Sequence, residues 1–301
     1  MTVKHVVSVS LGSVSRDAEA ILHLLGEEIH VQRIGVNGDV SRAKALYEEL
    51  DGKVDCLGVG GAVLAFDALD RSYALSAVAR MVADVTHTPV VDGTGFKSVV
   101  ERGVGALIRQ QLAGLLPNER VLITSAVDRL DLAKGFAENG FELLMGDLGF
   151  ALGLPVAVRT LQGLNRMAHT IGPIVRHLPM SALYPSGEHE DINKPRFQGW
   201  FAECGVIAGD GNYITHSMPL DMVGKIVATN TTTARDMALY RERGVRCVVT
   251  STPRLGERTF GTNVMEAAMV ALSGQGRKLA PDEMAALIER AGLEPQIEML
   301  S

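Results

Sequence analysis

Short apolar runs alternate with helical spacing over the first ninety residues of the chain. The apolar runs predict buried strands at 4–11, 29–36, 54–59 and 89–91. The segments between them predict helices at 16–26 and 39–50 and a long alanine-rich helical region over 63–85, with a break near Asp70. Strands that alternate with helices are typical of a parallel α/β layer.

The segment 121–147, VLITSAVDRLDLAKGFAENGFELLMGD, repeats this alternation in the second half of the chain. An apolar strand leads into a polar elbow, a helix that ends at Asn139-Gly140, and a second strand that ends at Asp147. Strand, turn, helix and strand with a closing acid outline a mononucleotide-binding half. We therefore predict a Rossmann-like second domain.

The fold class predicted from these patterns is α/β, with two domains of parallel sheets and flanking helices. The boundaries assigned are an N-terminal α/β domain at 1–116, a Rossmann-like domain at 117–273 with a helical insertion at 150–200, and a C-terminal helix and tail at 274–301. The tail is expected to pair as an edge strand or to return to the first domain.

Prolines interrupt the apolar region at 150–184, so several short helices that cover a face of the sheet are favoured there. An interfacial or dimer-forming surface is the alternative, because basic residues stand beside apolar ones. The polar segment at 184–200 is interpreted as a loop. Within it, the consecutive residues His189, Glu190 and Asp191 do not predict a metal site, because adjacent residues seldom converge on one ion.

Composition narrows the class of function. A hydrophobic content of 47% predicts a globular chain, and a net charge of -6 argues against a nucleic-acid surface. Three widely separated cysteines predict reduced thiols, and no apolar stretch is long enough to span a bilayer. With no signal segment at the N-terminus, we expect a cytoplasmic protein.

The elbow at 92–97, DGTGFK, carries the candidate chemistry of the first domain. Lys97 stands where a strand gives way to a helix, with Asp92 nearby, so the pair could serve as a general acid-base centre. A first-turn lysine that faces solvent is the alternative interpretation.

The elbow at 125–130 carries the candidate cofactor contacts, but the glycines of a dinucleotide motif are absent from it. Ser125, Val127, Asp128 and Arg129 occupy that region, and Asp147 stands where an acid could meet a ribose. Val127 would crowd the pyrophosphate, and Asp128 is interpreted either as a helix cap or as a ligand contact. Arg129 could hold an anion.

The later strands end in polar clusters, and the carboxyl edge of an open parallel sheet is where ligands bind. Asn230, Thr231 and Thr252 are therefore expected to line a cleft. Arg258 and Asn263, beside the start of the last long helix, are expected to contact substrate or an anion.

In layout the chain resembles the quinate/shikimate dehydrogenase group. GTGFK, ending at Lys97, resembles the stretch with that family's catalytic lysine, and IVATNTTT, ending at Thr233, resembles its strand end beside the nicotinamide. The glycine-rich turn is degenerate here, and the Asn-Thr-Asp motif is absent. The resemblance implies NAD or NADP as cofactor, a hydroxy acid or polyol as substrate, and Lys97 as acid-base residue.

Three functions remain open from the sequence. The first is an NAD(P)-dependent oxidoreductase of a small polyol or hydroxy acid. The second is a non-redox Rossmann-like protein that binds a phosphorylated metabolite or another nucleotide, which Val127 and Asp128 favour. The third is a structural or regulatory dimer built on 150–184. A small-molecule partner and a homodimer are expected.

Overall fold

The structure, a computed structural model, describes residues 3–183, 193–252, 254–255 and 258–300. Two mostly parallel sheets form two lobes with helices on their faces, so the predicted α/β class is confirmed. None of the helices in these ranges combines the length and the apolar character needed to cross a membrane.

The first sheet contains five strands, namely β1 (Lys4–Ser10), β2 (Ala18–Leu24), β3 (Glu27–Gly35), β4 (Cys56–Gly60) and β7 (Val90–Val91). Their order is β2-β3-β1-β4-β7, and β2 alone runs antiparallel to its neighbour. A hairpin follows β4, made of β5 (Ala65–Asp67) and β6 (Ser72–Ala74). The helices of this half are α1 (Val40–Leu50), α2 (Ser76–Met81), α3 (Thr94–Arg102) and α4 (Val104–Gln111).

The second sheet contains six strands, namely β8 (Arg120–Ile123), β9 (Glu142–Met145), β10 (Val206–Gly209), β11 (Ile226–Thr229), β12 (Cys247–Thr250) and β15 (Gln296–Met299). Their order is β15-β12-β11-β10-β8-β9, parallel except for β15. A two-stranded ribbon follows β12, made of β13 (Arg254–Leu255) and β14 (Arg258–Thr259). The helices are α5 (Leu130–Glu138), α6 (Asp147–Leu152), α7 (Leu161–Val175), α8 (Met180–Leu183), α9 (Gln198–Glu203), α10 (Gly211–Ser217), α11 (Ala234–Glu242), α12 (Thr262–Ser273) and α13 (Pro281–Arg290).

The helix predicted at 16–26 is wrong, because the segment forms the edge strand β2. Its sequence AEAILHL alternates, which places Leu22 and Leu24 in the core and Ile21 outside. Leu25 and Gly26 both have positive φ, as the tight turn between β2 and β3 requires.

The helical region predicted over 63–85 is wrong in its first part, because residues 65–74 form the β5–β6 hairpin and only α2 is helical. The rings of Phe66 and Tyr73 stack across the hairpin with centroids 5.2 Å apart. Aromatic cross-strand pairs of this kind stabilise a short hairpin that alanine content alone would place in a helix. The segment at 184–192, part of the predicted loop, lies outside the described residues.

Consecutive helices of the chain pack in different lobes. Phe96 and Val100 of α3 pack in the first core, whereas Val104 and Ile108 of α4 pack in the second, so the chain changes lobe at Gly103. Helix α12 returns to pack on the first sheet, although the sequence assigned it to the second domain. The boundaries at 116 and 273 stay a prediction. The tail forms the edge strand β15, one of the two outcomes expected for it.

Candidate functional site

The elbow between β7 and α3 is built by Asp92. One oxygen of its carboxylate accepts the amide of Thr94 at 3.0 Å, and the other accepts the amide of Leu64 at 2.6 Å. Gly93 adopts φ +92°, and a Cβ there would lie 2.5 Å from the amide nitrogen of Asn263, so only glycine fits. Asp92 therefore holds backbone in place, with both oxygens occupied by amides.

Lys97 lies between the lobes and is only 6% exposed, so the solvent-facing alternative for this lysine is excluded. Its ammonium donates to Asp128 Oδ1 at 2.9 Å, which ties α3 of the first lobe to the elbow after β8 of the second. Burial alone would raise the pKa of Asp128, but Lys97 and Arg129 lower it. The acid partner of Lys97 is thus Asp128 and not the predicted Asp92.

Arg129 forms a second, deeper link between the lobes. Its guanidinium donates to Glu101 on α3 and to Asp210 Oδ2 at 3.2 Å, at the end of β10. Arg129 and Glu101 are 3% and 2% exposed, so their charges depend on each other for compensation. Burial raises the pKa of Glu101, and Arg129 opposes that rise.

The carboxylate of Asp147 binds a backbone amide that the phosphate of a dinucleotide would need. Its Oδ1 accepts the amide of Val127 at 2.8 Å, so this carboxylate has the place that a phosphate takes in a nucleotide-binding turn. Its Oδ2 is buried and has no hydrogen bond within the described ranges. Burial raises the pKa of Asp147 to about 6. Its expected contact with a ribose is therefore not supported by this geometry.

The polar ends of β11 and β12 lie at the same carboxyl edge, and the side chain of Thr252 supports the loop after β11. Thr252 is fully buried, and its hydroxyl donates to the carbonyl of Asn230. The carbonyl of Thr231 lies beside Gly211, the first residue of α10. Ser125 lies at the end of β8, and its hydroxyl is buried without a hydrogen bond to any described residue.

The two remaining candidates lie elsewhere. Asn263 belongs to the first lobe, where its amide donates to Ser8 Oγ at 2.5 Å, so it packs against the first sheet rather than at the second sheet's edge. The backbone of Arg258 lies in β14, and its side chain is outside the described residues.

A small cavity lies where the two elbows meet, beneath the β5–β6 hairpin. Its volume of about 20 Å³ suits one water molecule. Four acids and two bases line it, namely Asp67, Glu101, Asp128, Asp131, Lys97 and Arg129. Asp131 is also paired with Arg102 and Lys134 outside the lining.

Sequence reasoning missed Glu101, Asp210 and Tyr213. Glu101 lies one helical turn after Lys97, a spacing that places both on one face of α3. Tyr213 lies close enough to three acids, Asp210, Asp128 and Asp147, for their charges to raise its pKa, although burial contributes most.

Glu266 on α12 was missed as well, and it lies behind the elbow at 92–97. It is fully buried, and its Oε2 accepts the amide of Gly95 at 3.0 Å while Oε1 has no hydrogen bond among the described residues. Burial raises the pKa of Glu266 to about 7. An acid in an apolar helix gives no indication in the sequence of which amide it meets.

Two family models match the chain. A domain of unknown function (DUF8753) matches residues 5–92, and a second domain of unknown function (DUF8754) matches residues 95–300. The chain belongs to the DUF8754 family, whose model covers more than half of it. No curated protein is significantly similar to the chain in sequence.

Solved structures with a comparable layout include solute-binding proteins. GanP, a glucose-galactose binding protein from Geobacillus stearothermophilus, aligns over 100% of this chain and 98% of its own at 10% identity and a TM-score of 0.40. A periplasmic solute binding protein from Actinobacillus succinogenes with bound D-allose aligns over 99% and 98% at 11% identity and a TM-score of 0.38. A galactofuranose binding protein aligns over 96% and 98% at 11% identity and a TM-score of 0.38. Values this low assign no ligand to this chain.

These comparisons correct the resemblance to the quinate/shikimate dehydrogenase group, and with it the oxidoreductase function. The matching family models are domains of unknown function, and the solved structures named above are binding proteins rather than dehydrogenases. The geometry also argues against a dinucleotide site, because the carboxylate of Asp147 accepts the Val127 amide and Asp128 is paired with Lys97. The role of Lys97 as acid-base residue of a hydride transfer is lost with that interpretation.

Proposed function

We propose that this protein binds a small, uncharged, polyhydroxylated molecule between its two lobes without redox chemistry. The observation that carries the proposal is the meeting of Lys97 and Glu101 from one lobe with Asp128 and Arg129 from the other around a single cavity. Ligand sites of α/β proteins lie at such carboxyl edges and at lobe interfaces.

The charges of the cavity favour hydroxyl groups over phosphates. Its lining has more acids than bases, and the amide of Val127 at the second elbow already has an internal carboxylate partner. A phosphate would lie close to the carboxylates of Asp128 and Glu101, which already engage the cations Lys97 and Arg129. A hydroxyl can donate to a carboxylate and accept from Lys97 or Arg129 at the same time.

Access requires the Lys97–Asp128 pair to separate, because the present cavity has room for one water molecule. Asp128 is the more exposed member of this pair. Its side chain is 39% exposed, whereas that of Lys97 is 8% exposed. Ligand hydroxyls would then replace each charge's present partner, which keeps both charges hydrogen-bonded.

The test is a thermal-shift panel on the full chain, with D-galactose, D-glucose and myo-inositol as neutral probes and glucose 6-phosphate, NAD and NADP as charged probes. A ligand at 100 times its Kd stabilises the folded state by about 2.7 kcal/mol, which is a measurable shift in Tm. We expect neutral polyols to raise Tm and the phosphorylated probes to leave it unchanged. A shift with only the phosphorylated probes would overturn the proposal.

A further inference from the structure

The edge strand β2 has a neighbour on one side only among the strands of the described residues. It is seven residues long and pairs with β3 through its whole length, from Ala18 opposite Arg33 to Leu24 opposite Glu27. Its outer side therefore presents backbone donors and acceptors that are free to pair with another strand.

This edge lacks several of the devices that normally prevent pairing. Proteins usually protect an edge strand with lysine, proline or a bulge, and AEAILHL contains neither of those residues and pairs with β3 without interruption. Ile21 at its centre is 51% exposed, and Leu25 in the turn that follows is 40% exposed.

The sequence of β2 is complementary to itself about Ile21. In an antiparallel pair of two copies centred on that residue, Ile21 faces Ile21, and Glu19 of one copy faces His23 of the other. The pair thus places an acid opposite an imidazole twice, once at either end of the exposed face. A carboxylate directly across from an imidazole can accept its N–H, whereas two like charges directly across a pair of strands repel each other.

The buried face of β2 is complementary in the same register. Leu22 would lie opposite Ala20 and Leu24 opposite Ala18, so each large side chain meets a small one. Leu22 and Leu24 already belong to the first core, and Ala20 packs against it. Pairing would extend that apolar layer from one copy into the next.

We propose that β2 is a dimerisation edge, at which a second copy of this chain adds its own β2 antiparallel and joins the two five-stranded sheets into one. The inference is independent of the ligand proposed for the cleft between the lobes, because β2 lies at the far edge of the first sheet, with β3 and β1 between it and β4. A two-fold axis at Ile21 gives the closed, isologous symmetry that most homodimers have.

The first experiment measures the mass of the full chain in solution by light scattering after size-exclusion chromatography. The wild-type chain should elute at twice its 32.2 kDa at micromolar concentrations. Ile21→Lys places two ammonium groups against each other on the axis and should raise the dimer Kd at least about tenfold. Ile174→Lys is the matched control, because Ile174 is 67% exposed on α7, and it should leave the dimer intact.

The second experiment tests the register. Glu19→Lys and His23→Glu should each weaken the homodimer, because the first removes the acid opposite each imidazole and the second places two carboxylates opposite each other. Circular dichroism melts should show both variants folded. Mixed in equal amounts, the two variants should form a heterodimer, because the introduced lysine of one chain then faces the introduced glutamate of the other, while the native acid and imidazole remain paired at the opposite end. A wild-type monomer, a dimer lost only with Ile174→Lys, or no recovery on mixing would overturn the proposal.

Discussion

The elbows that begin α3 and α5 follow the same plan and use it differently. Each comes after a buried strand, and each has an amide that is bound by an internal carboxylate, Asp92 on Thr94 in the first and Asp147 on Val127 in the second. The first elbow provides Lys97 to the cleft from a helix, and the second provides Asp128 and Arg129 from the turn itself.

This comparison shows that strand, elbow and helix do not by themselves indicate a nucleotide site. A nucleotide-binding turn leaves its amides open to phosphate, whereas here carboxylates of the chain occupy them. The remaining charged side chains of the two elbows pair with each other between the lobes, as Lys97 does with Asp128. The elbows therefore form a polar cleft in place of two phosphate sites.

Arg129→Met should have the largest effect on stability, because it leaves the buried carboxylate of Glu101 without its cation. Removal of one partner from a buried ion pair costs about 3–5 kcal/mol. Urea unfolding should show this loss for Arg129→Met. The double variant Glu101→Leu/Arg129→Met should recover much of it, since no buried charge remains uncompensated. A single variant as stable as wild type would show that the second elbow does not need this pair.

Glu266→Gln should change the pH dependence of stability behind the first elbow. Burial raises the pKa of Glu266 from 4.5 to about 7, so between these values the unfolded chain ionises while the folded chain keeps its proton. Glu266 should therefore contribute a fall in wild-type stability of about 3 kcal/mol as pH rises from 4.5 to 7. Urea midpoints at several pH values should show a much smaller fall in Glu266→Gln. An unchanged slope would contradict this assignment.

Asp147→Asn makes the corresponding test at the second elbow, with a smaller expected effect. The pKa of Asp147 is raised by burial from 3.8 to about 6, so its contribution to the fall in stability should end near pH 6 rather than pH 7. Because the residue is partly exposed, we expect a change of roughly 2 kcal/mol. If the two variants altered the same pH range, the distinction between the elbows would be wrong.

Much of the fold follows from local patterns, and the departures have identifiable causes. Buried strands such as β8 and β10 are short continuous apolar runs, so they are visible in the sequence. The segment AEAILHL is short enough to suit either period, and only its pairing with β3 decides that it is a strand.

The candidate site was only partly predictable. Lys97, Asp128 and Arg129 stand at elbows, which strand and helix periods locate, and the structure brings these three together. Their partners Glu101 and Asp210 come from elements that are distant in the chain, and no local pattern indicates such pairs. The amide contact of Asp147 was likewise invisible, because it joins neighbouring strands through tertiary structure.

The most direct test of the central claim compares two lysine–aspartate pairs in ligand binding. Lys97 bonds to Asp128 at 2.9 Å in the cleft, whereas Lys44 bonds to Asp84 at 2.6 Å on the surface. Isothermal titration with the neutral polyol that gives the largest thermal shift should show affinity reduced at least about tenfold in Lys97→Met, the loss of one charged hydrogen bond. Lys44→Met should bind as wild type does. Equal affinity in all three proteins would contradict binding between the elbows.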